Sequence, residues 1–170
     1  MLERYHQYSE QMLSQLKNGI FITVKDRKGR VNTMTIAWGH IGIIWGKPVF
    51  IAYVRYSRFT YDLLREAEDF TINVPKSGTL KEALKIAGTK SGRDIDKFEE
   101  APITKQRART VKSPIIKECP LNYECKIIYT QSQEPALISS DIKERYYKNH
   151  DTHIMFYGEI MDVYHMEDDK

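Results

Sequence analysis

No Gly-x-Gly occurs anywhere in the 170 residues, and the glycine-bearing segment Gly88 to Arg93 lacks the spacing of a Walker-type loop. A Rossmann-type dinucleotide site is thereby excluded, and any nucleotide must be held by other means. No apolar run approaches the length of a membrane span, and the opening Met1-Leu2-Glu3-Arg4-Tyr5-His6-Gln7 is too polar for a secretory leader. The expectation is a soluble, cytoplasmic protein without a membrane partner. Only two cysteines are present, Cys119 and Cys125, at a spacing that fits neither a CxxC redox pair nor a zinc site. Reduced thiols are expected, with Cys125 a small core residue and Cys119, just before Pro120, accessible. Charge of one sign is also lacking: the net charge is +3, with 29% charged residues of both signs. That describes a solvated surface rather than a nucleic-acid footprint, so no nucleic-acid partner is expected. With 41% apolar residues, the length suits one domain over 1–170, with 1–18 as an N-terminal arm or helix.

What is present reads mostly as short strands. Ile20 to Lys25 is β-branched and aromatic, Asp26 to Arg30 is turn-like, and Val31 to Trp38 is again rich in β-formers, which makes a hairpin. Gly39, Gly42 and Gly46 break the chain before Pro48, and Val49 to Val54 is a further strand. Phe70 to Val74 is a short buried strand ended by Pro75. Strand-like composition returns at Ile115 to Glu118, Leu121 to Thr130 and His153 to His165, with helices expected over Thr60 to Ala67, Thr79 to Ile86 and Asp141 to Lys148. Alternating strand and long-helix units are missing, so the class is mainly β: a β-barrel with peripheral helices. Trp38 and Trp45 are expected in its core. His150 and His153 read as a turn entering a strand rather than as a metal pair.

The segment Arg55-Tyr56-Ser57-Arg58-Phe59-Thr60 joins a buried strand to a helix start and delivers two guanidinium forks and two hydroxyls to one place. Cationic forks beside unpaired backbone N–H groups suit a dianionic phosphate. Local pattern equally allows solvated arginines with Thr60 as a helix cap. Lys105, Arg107, Arg109, Lys112 and Lys117 form a basic stretch, read as a solvated loop or as an attractor for NADPH or an acidic redox partner.

Six blocks in order break the tie. Asn32-Thr33-Met34-Thr35-Ile36-Ala37-Trp38, Trp45 to Phe50, Tyr53 to Thr60, Phe70-Thr71-Ile72-Asn73, Gly88-Thr89-Lys90-Ser91-Gly92-Arg93-Asp94-Ile95-Asp96-Lys97-Phe98 and Phe156-Tyr157-Gly158-Glu159-Ile160 together resemble the flavin reductase-like, FMN-binding split-barrel family. Within it the flavoredoxin branch is most similar. The chain departs from the pattern at Tyr56, where proline is usual, and at His40, where a small residue is usual and access to the flavin could change. The resemblance implies a Greek-key split β-barrel that forms a homodimer, with one FMN per subunit near the interface. It implies that Arg55, Ser57, Arg58 and Thr60 hold the phosphate, that Thr33, Met34, Thr35 and Ile36 line the isoalloxazine, and that Asn73, Ser91 and Arg93 complete the pocket. An extended strand edge at 32–36 agrees physically, because it offers backbone donors and acceptors to the flavin's pyrimidine edge. The implied activity is an NADH- or NADPH-dependent flavin reductase passing hydride to FMN N5. Two alternatives stand beside it: an electron carrier of the flavoredoxin kind reduced by a protein partner, and, in another class, a ligand-binding barrel without redox turnover. No side chain is assigned a catalytic role, since the flavin would carry the chemistry.

Overall fold

The computed structural model describes residues 3–166. Nine strands and five helices follow in the order α1 Ser9–Leu16, β1 Ile20–Lys25, β2 Val31–Ile36, β3 Gly39–Ile44, β4 Lys47–Arg55, α2 Phe59–Leu64, β5 Asp69–Val74, α3 Lys81–Thr89, α4 Lys97–Glu100, β6 Lys105–Gln106, β7 Ile115–Ile116, β8 Leu121–Ser132, α5 Ser140–Tyr146 and β9 His153–His165. Seven of the strands form one sheet in the order β2-β1-β5-β8-β9-β4-β3, every pairing antiparallel, while β6 and β7 form a separate two-stranded ladder. The sheet is open at β2 and β3. Among the described residues no helix is long and apolar enough to cross a membrane.

The β1–β2 hairpin forms because Asp26 organises its turn: Oδ1 accepts from the backbone N–H of Lys28 and Arg30, and Oδ2 from Arg30 Nε at 2.7 Å. Gly29, at φ +84°, takes the left-handed position the turn needs. Register then follows from burial. Ile20, Ile22 and Val24 turn to a core shared with Phe50, Val54, Phe70, Ile72, Leu121, Tyr123 and Phe156. Phe21 turns to the opposite face, where Ala83, Leu84 and Ala87 of α3, Phe98 of α4 and Ile116 bury it. Covering both faces of this end of the sheet costs a helix, and that helix is what brings the loop at 90–97 over β2. Gly88 lets α3 approach closely, since a Cβ there would lie 3.3 Å from Thr35 Cβ.

Two buried carboxylates fix the basic stretch. Glu124 accepts from the N–H of Arg109 and Thr110, from Thr110 Oγ1 and from the Tyr164 hydroxyl. Asp69 accepts from the N–H of Lys112 and Ser113. Lys112 pairs with Glu68 at 2.9 Å, and Arg109 lies over the Tyr164 ring and beside Asp162. The stretch is therefore a stapled, partly neutralised loop rather than a free cationic patch.

Several expectations are corrected. Trp38 and Trp45 lie at the surface, 38% and 59% exposed, in the links between β2 and β3 and between β3 and β4. Cys119 is fully buried beside Ile116, as is Cys125 in the main core, and burial pushes both thiols upward, so neither presents a thiolate. The helix expected over Thr60 to Ala67 spans Phe59–Leu64, and the one expected over Thr79 to Ile86 spans Lys81–Thr89.

Candidate cofactor site

Two recesses meet on the outer side of β2 and share Met34 and Arg58. The first, about 120 Å3, is lined by Asn32, Ser57, Thr60, Ser91, Arg93 and Lys97, with α3's last turn as one wall. The second, about 170 Å3, runs along Thr35, Ile36 and Ala37 to Trp38, Tyr53, Arg55 and His153. One is polar and cationic; the other is walled by aromatic rings.

Lys97 defines the first recess. It is only 4% exposed, and its Nζ donates to the Ala87 carbonyl at 2.8 Å. Burial, with the Arg58 charge added, pushes the ammonium down to about 8. Among the described residues no carboxylate forms an ion pair with Lys97 or Arg58; Arg58 makes a single long contact, 3.5 Å to the Gly88 carbonyl. Buried cations are ordinarily paired. Here buried Lys97 and the exposed Arg58 line an open recess instead.

The hydroxyls are set as donors. Thr60 Oγ1, almost wholly buried, accepts from Asn32 Nδ2 at 2.8 Å, and Ser91 Oγ accepts the Arg93 N–H at 3.1 Å. Each therefore keeps its own proton for a further acceptor. Two cations and two donating hydroxyls around one recess suit a phosphate dianion. Since α2 has only six residues, side chains rather than a helix dipole supply this field. The hollow between Lys25 and Lys112 is larger, but carboxylates of Asp26, Glu68 and Asp69 line it among the cations, with Glu68 paired to Lys112.

Of the residues expected in the site, Met34, Thr35, Ile36, Ser57, Arg58, Thr60, Ser91 and Arg93 are brought to the two recesses. Arg93 acts mainly as a brace, donating to Asp62 at 2.6 Å and to the Ser57 carbonyl at 3.1 Å while lying over Phe59. Three assignments change. Arg55 lines the aromatic recess, its guanidinium donating to the carbonyls of Asp151 and Tyr146 and stacking on Tyr147, so it clasps the segment before β9. Asn73 is fully buried on β5; its amide donates to Thr23 and Thr71 and accepts from the Ile116 N–H, leaving nothing for a ligand. The side chain of Thr33 is also fully buried, accepting from Thr23 and donating to the Ile22 carbonyl, so only its backbone can serve.

Residues missed in the sequence are Lys97, Asn32, Tyr53 and His153. Lys97 sits in the charged run Asp94 to Glu100, where a lysine reads as solvated; only its place beside the Ser91–Arg93 block signalled otherwise. His153 bonds through Nδ1 to the Tyr147 hydroxyl at 2.9 Å and packs against Trp38, ring centroids 4.8 Å apart. Burial first, then the Arg55 and Arg58 charges, push it down to about 4 despite the opposing Asp151. It is neutral near pH 7. A histidine ordinarily titrating near 6.5 when unfolded stabilises the fold above that pH and loses the contribution as pH falls toward 4. Acidification should therefore remove about 3 kcal/mol of stability across this window, and His153→Gln should flatten the urea-midpoint profile between pH 6.5 and 4. An unchanged slope in the variant would assign the acid sensitivity elsewhere. His40 sits at the far rim, edge-on to Tyr53 at 5.5 Å.

Comparison with known proteins converges on one family. The model of the flavin reductase like domain matches residues 13–170. An uncharacterized protein of Archaeoglobus fulgidus is 31% identical over 134 residues, 79% of this chain and 65% of that protein. The chain thus spans under two thirds of that relative's length. The flavoredoxin of Desulfovibrio vulgaris (Miyazaki F) superposes with TM-score 0.68 at 28% identity, covering 88% of this chain and 70% of its own. A putative flavin reductase with a split barrel domain from Shewanella frigidimarina gives 0.68 at 19% identity, over 93% and 73%. At that identity the likeness carries the fold alone, and the open seven-stranded sheet is the split barrel expected from sequence. With the match extending over nearly the whole chain, this protein belongs to the flavin reductase-like domain family.

Proposed function

We propose that the chain binds FMN along the outer side of β2, phosphate toward Lys97 and ring toward the aromatic recess, and works as an NAD(P)H-dependent flavin reductase. Membership of the family makes it a flavin-binding oxidoreductase in kind. The observation that carries the orientation is buried Lys97, without a carboxylate partner, at one end of a cleft whose other end is aromatic, with Arg58 where the two recesses meet. Lys97, Arg58, Thr60 and Ser91 would hold the phosphate, Asn32 orients the Thr60 hydroxyl, and β2 presents backbone to the ring. When bound, FMN supplies the two-electron chemistry, accepting hydride from a reduced nicotinamide. Trp38, Tyr53 and neutral His153 wall the ring end, beside Arg55 and Arg58. Anaerobic mixing of the FMN-loaded protein with NADH or NADPH should bleach the oxidised-flavin band within a turnover; persistence of the band with both donors would overturn the reductase reading. A second reading, an electron carrier reduced by a protein partner, is favoured by the likeness to a flavoredoxin, and such persistence would point to it.

A second copy of the chain completes this reading. The outer face of β3, β4, β8 and β9 carries His40, Tyr53, Tyr129 and Tyr157 with Trp45 at its end, in ring contacts of 5.0 to 6.2 Å. An aromatic sheet face of this extent suits an interface between identical subunits. Sedimentation should give a dimer, and a strictly monomeric species at micromolar concentration would contradict it.

A further inference from the structure

The two donors of Ser57 are already spent. Its N–H donates to Asp151 Oδ1 at 3.1 Å and its hydroxyl to Asp151 Oδ2 at 2.6 Å. A carboxylate accepts only, so the Ser57 proton points at Asp151, unlike those of Thr60 and Ser91, which remain free to donate. Asp151 is held there by its backbone: Arg55 donates to its carbonyl, and the Tyr56 N–H donates to the neighbouring Thr152 carbonyl at 3.3 Å. The segment between α5 and β9 also contains His150 at φ +57°, a strained value for a non-glycine residue. A negative side chain is thus fastened against the lip of the cationic recess, on the very residue that lines it.

We propose that Asp151 is a specificity determinant that weakens the grip on the phosphate, by occupying both Ser57 donors and placing a like charge beside the dianion. This inference rests on the FMN reading of the recess. Its consequence is a flavin that exchanges: the cations attract the phosphate, and Asp151 keeps the affinity below what Lys97, Arg58, Thr60 and Ser91 would otherwise give. Neutralising Asp151 leaves the backbone clasp intact, because Arg55 holds the main-chain carbonyl rather than the carboxylate.

Calorimetric titration of FMN and of riboflavin into the whole protein tests this. Asp151→Asn should tighten FMN by about tenfold and leave riboflavin, which has no phosphate, within about twofold; Asp151→Glu, which keeps the charge, should behave like the parent. Asp151→Asn protein that binds FMN no more tightly than the parent, or more weakly, would overturn the inference and make Asp151 a positioning residue for Ser57. Equal tightening of both flavins would also overturn it, since the effect would then lie in the segment's packing. Parent protein that binds neither flavin would instead overturn the reading of the recess itself, and this inference with it.

Discussion

Replacing Lys97 with methionine is expected to weaken FMN binding by about a hundredfold while making the ligand-free protein more stable by about 1 to 2 kcal/mol. The opposite signs follow from one fact. A lysine with 4% exposure and no paired carboxylate pays for desolvation in the free protein and recovers it only when an anion arrives. Methionine keeps the apolar stem and removes the charge, at the expense of the bond to the Ala87 carbonyl. The pH dependence has a definite sign. An ammonium lowered to about 8 in the fold, against an ordinary 10.5, penalises the folded state below pH 8, and that penalty is relieved as pH rises toward 10.5. Parent protein should therefore gain stability relative to Lys97→Met across that window, by about 3 kcal/mol at most. FMN affinity should fall over the same range, as the cation is lost. Unfolding curves and calorimetry on both proteins measure the two effects. A variant that loses stability and binds FMN normally would mean that Lys97 only ties α3 to α4.

Arg58→Ala should weaken FMN by about ten- to a hundredfold and leave riboflavin nearly unchanged. Its guanidinium makes one long contact to the Gly88 carbonyl and is otherwise directed at the recess, so little folded structure depends on it. Arg58→Lys should recover part of the loss, because an ammonium supplies the charge without the planar fork. The two cations are coupled: Arg58 helps hold Lys97 down, so removing Arg58 should move the Lys97 titration upward. A cycle of single and double variants should then show losses that do not add. Equal losses for FMN and riboflavin in Arg58→Ala would place the residue at the ring instead of the phosphate.

Much of the fold was legible because burial imposes period and length. The strand expected from His153 to His165 has those bounds, and the hairpin from Ile20 to Ile36 formed around the turn that Asp26 and Gly29 announce. Burial in three dimensions was not legible. Trp38 and Trp45 have core-type side chains, yet they sit in the links on either side of β3 and are exposed. The site shows the same division. Arg58 and Thr60 were legible as neighbours because one strand-to-helix junction carries both, whereas Ser91 was added only by the family resemblance. Arg55, three residues from Arg58, was assigned the same role, but a strand end and the first residues past it point different ways, and the carbonyls that claim it are contributed by a segment about ninety residues away. Asn73 failed for a related reason: a polar residue within a strand run can be a ligand or the hydrogen-bonding partner of buried threonines, and only the register with β1 decides. Lys97 was missed because surface chemistry is the default for lysine, and the Ala87 carbonyl that accepts from it belongs to α3, ten residues earlier.

The central claim is that the cleft on β2 grips a phosphate at its Lys97 end. Titrating the parent protein with FMN and with riboflavin at pH 7, at low and at high salt, addresses it most directly. The expected result is FMN binding at least about tenfold tighter than riboflavin, with the gap narrowing as salt screens Arg58 and Lys97. Equal affinity for the two flavins at every salt concentration would contradict the account.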